Sequence, residues 1–260
     1  MNTLAIDIGG TGLKASVLAA SGQMLSDRVR IPTPYPLSPQ GLVAALQGLI
    51  APLPPAERAS VGFPGVVREG RIRTAPHFLG AAGPDAKPQK GLVTAWSDFD
   101  LAGALTEALG KPTRVANDAD VQGAGVVSGT GIELVVTLGT GVGTALFVDG
   151  QVCPHLELGH HPLRRGETYN ERLGEAARKK VGNAKWRRRV LEAVDVLDVL
   201  VNFDRLYIGG GNAQRLPAPL PERVMTVSND AGILGGIKLW DRRTFALGAH
   251  PRSRRATTSA

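Results

Sequence analysis

The sequence predicts an α/β protein of two related lobes, and three observations carry that expectation. The stretch "GTGLKASVLAASGQ" at 10–23 recurs as "GTGVGTALFVDGQ" at 139–151 with one residue deleted, and each copy follows an apolar strand, "TLAIDIG" or "ELVVTLG". Each half of the chain therefore begins with the same glycine hairpin. The run "RLYIGGGNAQRL" sets three glycines, 209–211, at the carboxyl end of another apolar strand, where α/β sheets commonly border a ligand cleft. With 260 residues, 43% of them hydrophobic, the chain is long enough to fill two compact cores.

Composition narrows the classes. A single cysteine, Cys153, excludes an intrachain disulfide framework and a multi-cysteine zinc site, pointing to a reducing compartment. No 18-residue apolar run and no leader pattern is present, since Asp7 interrupts the first hydrophobic segment; a cytoplasmic protein that does not cross a membrane is expected. The net charge of +7 allows a polyanionic partner, although part of the excess sits in "PRSRRATTSA", read as a disordered basic tail over 248–260.

The opening reads as a strand, Leu4 to Ile8, a turn, Gly9 to Gly12, and a second strand, Leu13 to Ala19. Glycines let a backbone approach a ligand and aim its N–H groups at phosphate. "GTGLKA" also satisfies a dinucleotide pattern, but "KASVLAASGQ" is no helix and the acid at Asp27 falls short of the ribose position, so that reading is set aside. Asp7, between Ile6 and Ile8, needs a cation or donors if buried; beside a phosphate cradle it suits Mg²⁺, and capping of the turn amides is the alternative.

Further along, "PTRVANDADVQGAGV" sets Asn117, Asp118 and Asp120 between a strand, Thr113 to Ala116, and a small-residue helix. A carboxylate there can take a proton from a hydroxyl, and ordinary helix capping is the competing account. In "CPHLELGHHPL", Glu157 and His160 stand three apart and can share the hydroxyls of a polyol, while His155, His160 and His161 lack the further partners that zinc requires.

Taken in order, "DIGGTGLK", "VGFPGVV", "VANDAD", "LGTGVGTALF", "ELGHHPL", "IGGGNAQRL" and "NDAGILGG" resemble the ROK family of bacterial sugar kinases, most closely its polyphosphate glucokinase branch, from Leu4 to about Trp240. The resemblance implies an actin/hexokinase-like (ribonuclease H-like) fold: two duplicated α/β lobes around a central cleft. It implies that Asp118 is the base for the sugar 6-hydroxyl, and that Asn117, Glu157, His160, the Gly62–Gly65 loop and, by a looser match, Glu167 hold glucose. On the donor side it implies Gly9, Gly10, Thr11, Gly12 and Lys14 from one lobe, Thr137, Gly139, Thr140 and Gly141 from the other, and Gly210 and Gly211 beside them. Asp7 would attend Mg²⁺.

The domain boundaries expected are an N-terminal lobe over 1–115, completed by a C-terminal helix over 231–247, and a C-terminal lobe over 116–230. The reaction expected is phosphoryl transfer to glucose from polyphosphate, ATP or both, with a strictly ATP-dependent hexokinase acting on glucose or another hexose such as mannose as the alternative and a non-catalytic sugar or polyanion sensor as a remote one. No zinc is expected, because no cysteine follows the "ELGH" motif where many ROK kinases carry a zinc motif. No nucleic-acid partner and no N-terminal DNA-binding domain are expected, and a homodimer is. A basic segment, with Arg164, Arg165, Arg178, Lys179, Lys180, Arg187, Arg188 and Arg189, is a candidate polyphosphate track or else a solvated face. The Gly/Pro-rich segment 78–89 matches nothing recognised.

Overall fold

The computed structural model describes residues 1–84, 86–228 and 234–245. Its first sheet has the order β3-β2-β1-β4-β7, built from β1 (Thr3–Ile8), β2 (Leu13–Leu18), β3 (Val29–Ile31), β4 (Arg58–Phe63) and β7 (Thr113–Asn117). β1 pairs antiparallel with β2 and parallel with β4, which in turn runs parallel to β7. The central strands are covered on both faces, which is why β1 reads as an almost unbroken apolar run.

Helix α1 (Pro39–Ile50) starts at Ser38, whose hydroxyl accepts from Gly41 N, and buries Leu42, Leu46 and Leu49, a helical spacing that lays one stripe on the sheet. A small hairpin, β5 (Val67–Arg68) with β6 (Arg71–Ile72), precedes α2 (Lys90–Trp96) and α3 (Leu101–Leu109). Asp100 caps α3 through Gly103 N, and Gly110, at φ 61°, ends it in the left-handed conformation glycine tolerates. Within the unrecognised segment 78–89, Phe78 is fully buried, edge-on to Phe63 with ring centroids 5.5 Å apart, and packs beside Trp96.

α4 (Asp118–Ala124) leads to the second sheet. That sheet comprises β8 (Ile132–Leu138), β9 (Val142–Val148), β10 (Gln151–Val152), β13 (Arg205–Gly209) and β14 (Val224–Thr226), in the order β10-β9-β8-β13-β14. Between β10 and β13 lie the hairpin β11 (Pro162–Arg164) with β12 (Glu167–Thr168), then α5 (Tyr169–Leu173), α6 (Glu175–Val181) and α7 (Asn183–Val201). α7 buries Trp186, Val190, Ala193, Val194 and Leu197 against the sheet.

The two sheets repeat one plan. In each, an antiparallel hairpin is followed by two strands parallel to its first member. Both hairpin turns are closed by a glycine-to-glycine bond of 3.0 Å, Gly9 N to Gly12 O across a four-residue turn and Gly139 N to Gly141 O across a three-residue one. Asp7 opposite Lys14 in the first hairpin is matched by Thr137 opposite Gly143 in the second.

One expected element differs. Instead of a single helix over 231–247, the described residues form a six-residue 3-10 helix, Gly235–Trp240, followed by turn. Residues 229–233 and 246–260, which include the rest of that expected helix and the basic tail, lie outside the described residues. Close packing selects the short form: a Cβ on Gly235 would sit 1.7 Å from the Val121 carbonyl oxygen, and one on Gly236 3.1 Å from the Ala5 Cβ. The strap docks on the first sheet through Ser60, whose hydroxyl donates to Gly236 O and accepts from Trp240 Nε1. Trp240 stacks with Arg58 and Arg114, 5.0 and 4.4 Å from its ring centroid.

Candidate active site

Parallel strands end together, and here three of them deliver the polar residues. Register aligns Asp7 of β1 with Gly62 of β4, and Gly62 with Ala116 of β7, so Asp7, the Gly62–Gly65 turn and Asn117–Asp118 share one edge of the first sheet. Gly62 is small for a reason: a Cβ there would stand 3.3 Å from the Cα of Asp118. Gly65 is packed against the Thr74 carbonyl.

Asn117 caps α4. Its side-chain oxygen accepts from Ala119 N and Asp120 N, at 2.7 and 3.3 Å, and its Nδ2 donates to Gly65 O at 3.1 Å. Capping and substrate contact are thus compatible: one Nδ2 proton remains for a ligand. Asp118 is half-buried at the first position of α4, with Oδ1 accepting from Ala119 N at 2.9 Å. Burial, then the charges of Asp7 and Glu157, push its carboxyl up to about 7, against the Ala119 N–H and His155. Asp7 itself is paired with Lys14, Nζ to Oδ2 2.8 Å.

On the other side, Glu157 precedes the short 3-10 turn Leu158–His160, and His160 N donates to Glu157 O. Glu157 is held below the usual carboxylate range chiefly by a hydrogen bond from His155, with burial acting against it and the charges of His155, His160 and His77 adding to it. His160 is exposed. Gly159 is pressed against the Val142 carbonyl and the Asn170 amide, and Asn170 Oδ1 also accepts from Val142 N at 2.7 Å, so Asn170 ties the second hairpin to the Glu157–His160 turn.

The two glycine turns are prepared alike. Thr33 Oγ1 donates to Gly9 O, and the Tyr35 hydroxyl lies 2.7 Å from Gly10 O and 2.9 Å from His77 O. In the second turn Gly139 O accepts from Glu175 N, and Gly210, at φ 85°, lies flat against Leu138. Among the described residues no acceptor takes the N–H groups of Gly10, Thr11, Gly12, Thr140 or Gly141. Carbonyls drawn away and amides left free make an anion cradle. Gly211 has open space beside it.

Glu167 does not join this group. Its carboxylate is held by Arg172 at 2.8 Å, and Arg172 also binds Glu192, which pairs in turn with Arg164. The basic segment is neutralised only in part: Arg178 and Lys179 pair with Glu175, the Arg178 bond chiefly holding that acid down to about 2, while Arg187 and Arg189 donate to the uncharged carbonyls of Arg215 and Arg172. Arg165, Lys180 and Arg188 remain exposed.

Three site residues escaped the sequence. His155 bridges Asp120 and Glu157; His77 packs its ring on Gly10 and bears electrostatically on Glu157; Asn170 joins two loops. Each acts across a long stretch of chain, and only the presence of His155 beside "ELGH" gave any signal. Among the described residues no group of three or more His, Cys, Asp or Glu is gathered for a metal. The donor set does fit Mg²⁺ in the manner that ion usually takes, through one carboxylate, Asp7, together with phosphate oxygens brought by a ligand. No described helix is long and apolar enough to cross a membrane.

Comparison with known proteins agrees with this geometry. Residues 3–175 match the model of the ROK family. The polyphosphate glucokinase of Mycobacterium tuberculosis is 27% identical over 247 residues, covering 88% of this chain and 88% of that protein. The crystal structure of the inorganic polyphosphate/ATP-glucomannokinase from Arthrobacter sp. strain KM superposes with a TM-score of 0.77 at 29% identity, over 91% of this chain and 97% of that one. A ROK family glucokinase from Streptomyces griseus, solved with glucose and AMPPNP, shares the fold at a TM-score of 0.72 and 17% identity, over 92% and 99% of the two chains.

Proposed function

This chain belongs to the ROK family, and from that premise we propose that it is a sugar kinase that transfers a phosphoryl group from inorganic polyphosphate to the 6-hydroxyl of glucose. The observation that carries the reading is the position of Asp118: a carboxyl poised near neutrality, between a pair of anion cradles and a pair of hydroxyl-binding side chains. Polyphosphate is favoured as donor by the relatives that span nearly the whole chain.

Asp118 accepts the proton of the 6-hydroxyl as the oxygen attacks the terminal phosphorus. A base with a carboxyl near 7 is well matched to that task, since it is ionised at working pH yet still basic. Asn117 offers its remaining proton to a neighbouring hydroxyl, and Glu157 and His160 hold others. The free amides of Gly10, Thr11 and Gly12 and of Thr140 and Gly141 receive donor phosphates from two sides, with Lys14 and Thr137 beside them. Bound at Asp7, Mg²⁺ would supply neutralisation of phosphate charge. Such a site works mainly by positioning and charge stabilisation, which is what phosphoryl transfer demands.

A second reading, an ATP-dependent hexokinase, draws support from the ion pairs of Arg164, Arg178 and Lys179, which withdraw part of the basic segment from a long polyanion. Glucose 6-phosphate formation with polyphosphate or ATP as sole donor decides between them. Turnover with polyphosphate supports the first reading, turnover with ATP alone the second, and no turnover of glucose or mannose with either donor overturns both.

A further inference from the structure

The second acid of "NDAD", Asp120, has no part in the chemistry above, yet it is buried. It sits on α4 two residues after Asp118, facing inward, and its Oδ1 lies 3.1 Å from His155 Nδ1. The opposite ring nitrogen, Nε2, is buried and lies 3.5 Å from Glu157 Oε1, at ion-pair distance, and no acceptor among the described residues, Glu157 included, meets it in good hydrogen-bond alignment. The His155 side chain is 7% exposed and that of Asp120 9%, whereas Glu157, at 32%, opens toward the cleft. An imidazole thus spans a buried carboxylate and a cleft carboxylate, one on each nitrogen.

We propose that His155 is a positioning residue, kept as an imidazolium by Asp120, which fixes Glu157 in its ionised form and in the orientation that receives sugar hydroxyls. This inference rests on the sugar-kinase reading of the site. With a carboxylate facing each ring nitrogen, at 3.1 and 3.5 Å, the form protonated on both nitrogens is the one the geometry favours. Burial alone would lower the imidazole, but hydrogen bonds and charge from Asp120 and Glu157 outweigh it and raise it to about 10. On Asp120, burial raises the carboxyl and the bond from His155 works against that. The other titratable groups nearby are Asp118, which feels the His155 charge; Cys153, which feels Asp120; and His160 and His77, both acting on Glu157.

The arrangement also accounts for why only one cleft acid becomes a base. Asp7 has Lys14 and Glu157 has His155, while Asp118 has no cation in direct contact among the described residues. Without such a cation, Asp118 is pushed up by burial and by the charges of Asp7 and Glu157.

Two measurements test this, one independent of catalysis. In the free protein, nitrogen-detected NMR of His155 at pH 8 is expected to show both ring nitrogens protonated; a neutral tautomer at that pH overturns the proposal whatever the protein phosphorylates. In kinetics, His155→Ala is expected to raise KM for glucose on the order of tenfold or more with kcat changed less than about threefold, and to move the acid limb of the pH profile upward, because two uncompensated carboxylates then bear on Asp118. The double variant Asp120→Asn/His155→Ala removes the stranded buried charge. It is expected to regain thermal stability while keeping the raised KM. If the double variant recovers glucose KM together with stability, His155 serves packing alone and the proposal fails. If the wild-type protein turns over no sugar, the functional reading fails and the NMR result alone decides the bridge.

Discussion

Asp7 and Lys14 face each other across the first hairpin, in register, with the ammonium 2.8 Å from the carboxylate. Both are about one-third exposed, so the pair itself adds little to stability, ~0–1 kcal/mol. Its place beside the first glycine turn gives it another use. Lys14→Met is therefore expected to leave the melting temperature nearly unchanged and to raise KM for the phosphoryl donor at least ~10-fold with glucose KM within about twofold, the signature of a lost donor contact. Initial rates with each substrate varied in turn check this.

Asp118→Asn keeps the shape of the base and deletes its basicity. Turnover is expected to fall by roughly 10²–10⁴-fold while glucose binding, followed by calorimetry, stays close to wild type. Full activity in the variant would assign the proton to another group.

The same carboxyl makes a stability prediction. Its folded value, about 7, lies above its ordinary one, so its contribution is present at low pH and is lost as pH rises through about 7. Asp118→Asn should accordingly melt a few degrees above wild type at pH 8, with the difference shrinking toward pH 5. In kinetics, kcat/KM of the wild type is expected to climb with pH up to about 7 and then level.

How much of this was legible in the sequence depended on distance along the chain. The paired hairpins were readable because their turns are local: in each, "GTG" between two apolar strands makes a tight turn closed by a bond between glycines, Gly9 to Gly12 and Gly139 to Gly141. Asn117 and Asp118 were readable because a strand-to-helix junction concentrates function within two residues. His155 was weighed only as a zinc ligand, since its partner Asp120 lies 35 residues earlier and no spacing rule links them. The ion pairs within the basic run were hidden for a related reason. The acids that neutralise it include Glu192, 28 residues from Arg164 and 20 from Arg172, and only the folded packing of α5 and α7 brings them together. The short strap in place of the helix over 231–247 depends on what Gly235 and Gly236 touch, which local propensity does not contain.

Gly210 offers a test on the donor side that leaves the chemical groups untouched. At φ 85°, with its would-be Cβ 2.4 Å from the Leu138 carbonyl oxygen, it admits no side chain. Gly210→Ala is expected to cost ~1–3 kcal/mol in denaturant unfolding and to weaken donor binding more than glucose binding, because the displaced backbone is that of the second hairpin. Gly211→Ala, with open space beside it, is expected to leave the unfolding free energy nearly unchanged and so separates strain from donor contact.

The strap at Gly235–Trp240 has a mechanical consequence. The chain leaves the first sheet for the second at Asn117–Asp118, and by Gly236 it is fastened to the first sheet again, with Trp240 clamped between Arg58 and Arg114. The strap also packs on α4, which lies against β4 as well, so the turn that carries Asp118 is braced from two sides by distant parts of the chain and the carboxylate keeps its place at the strand edge.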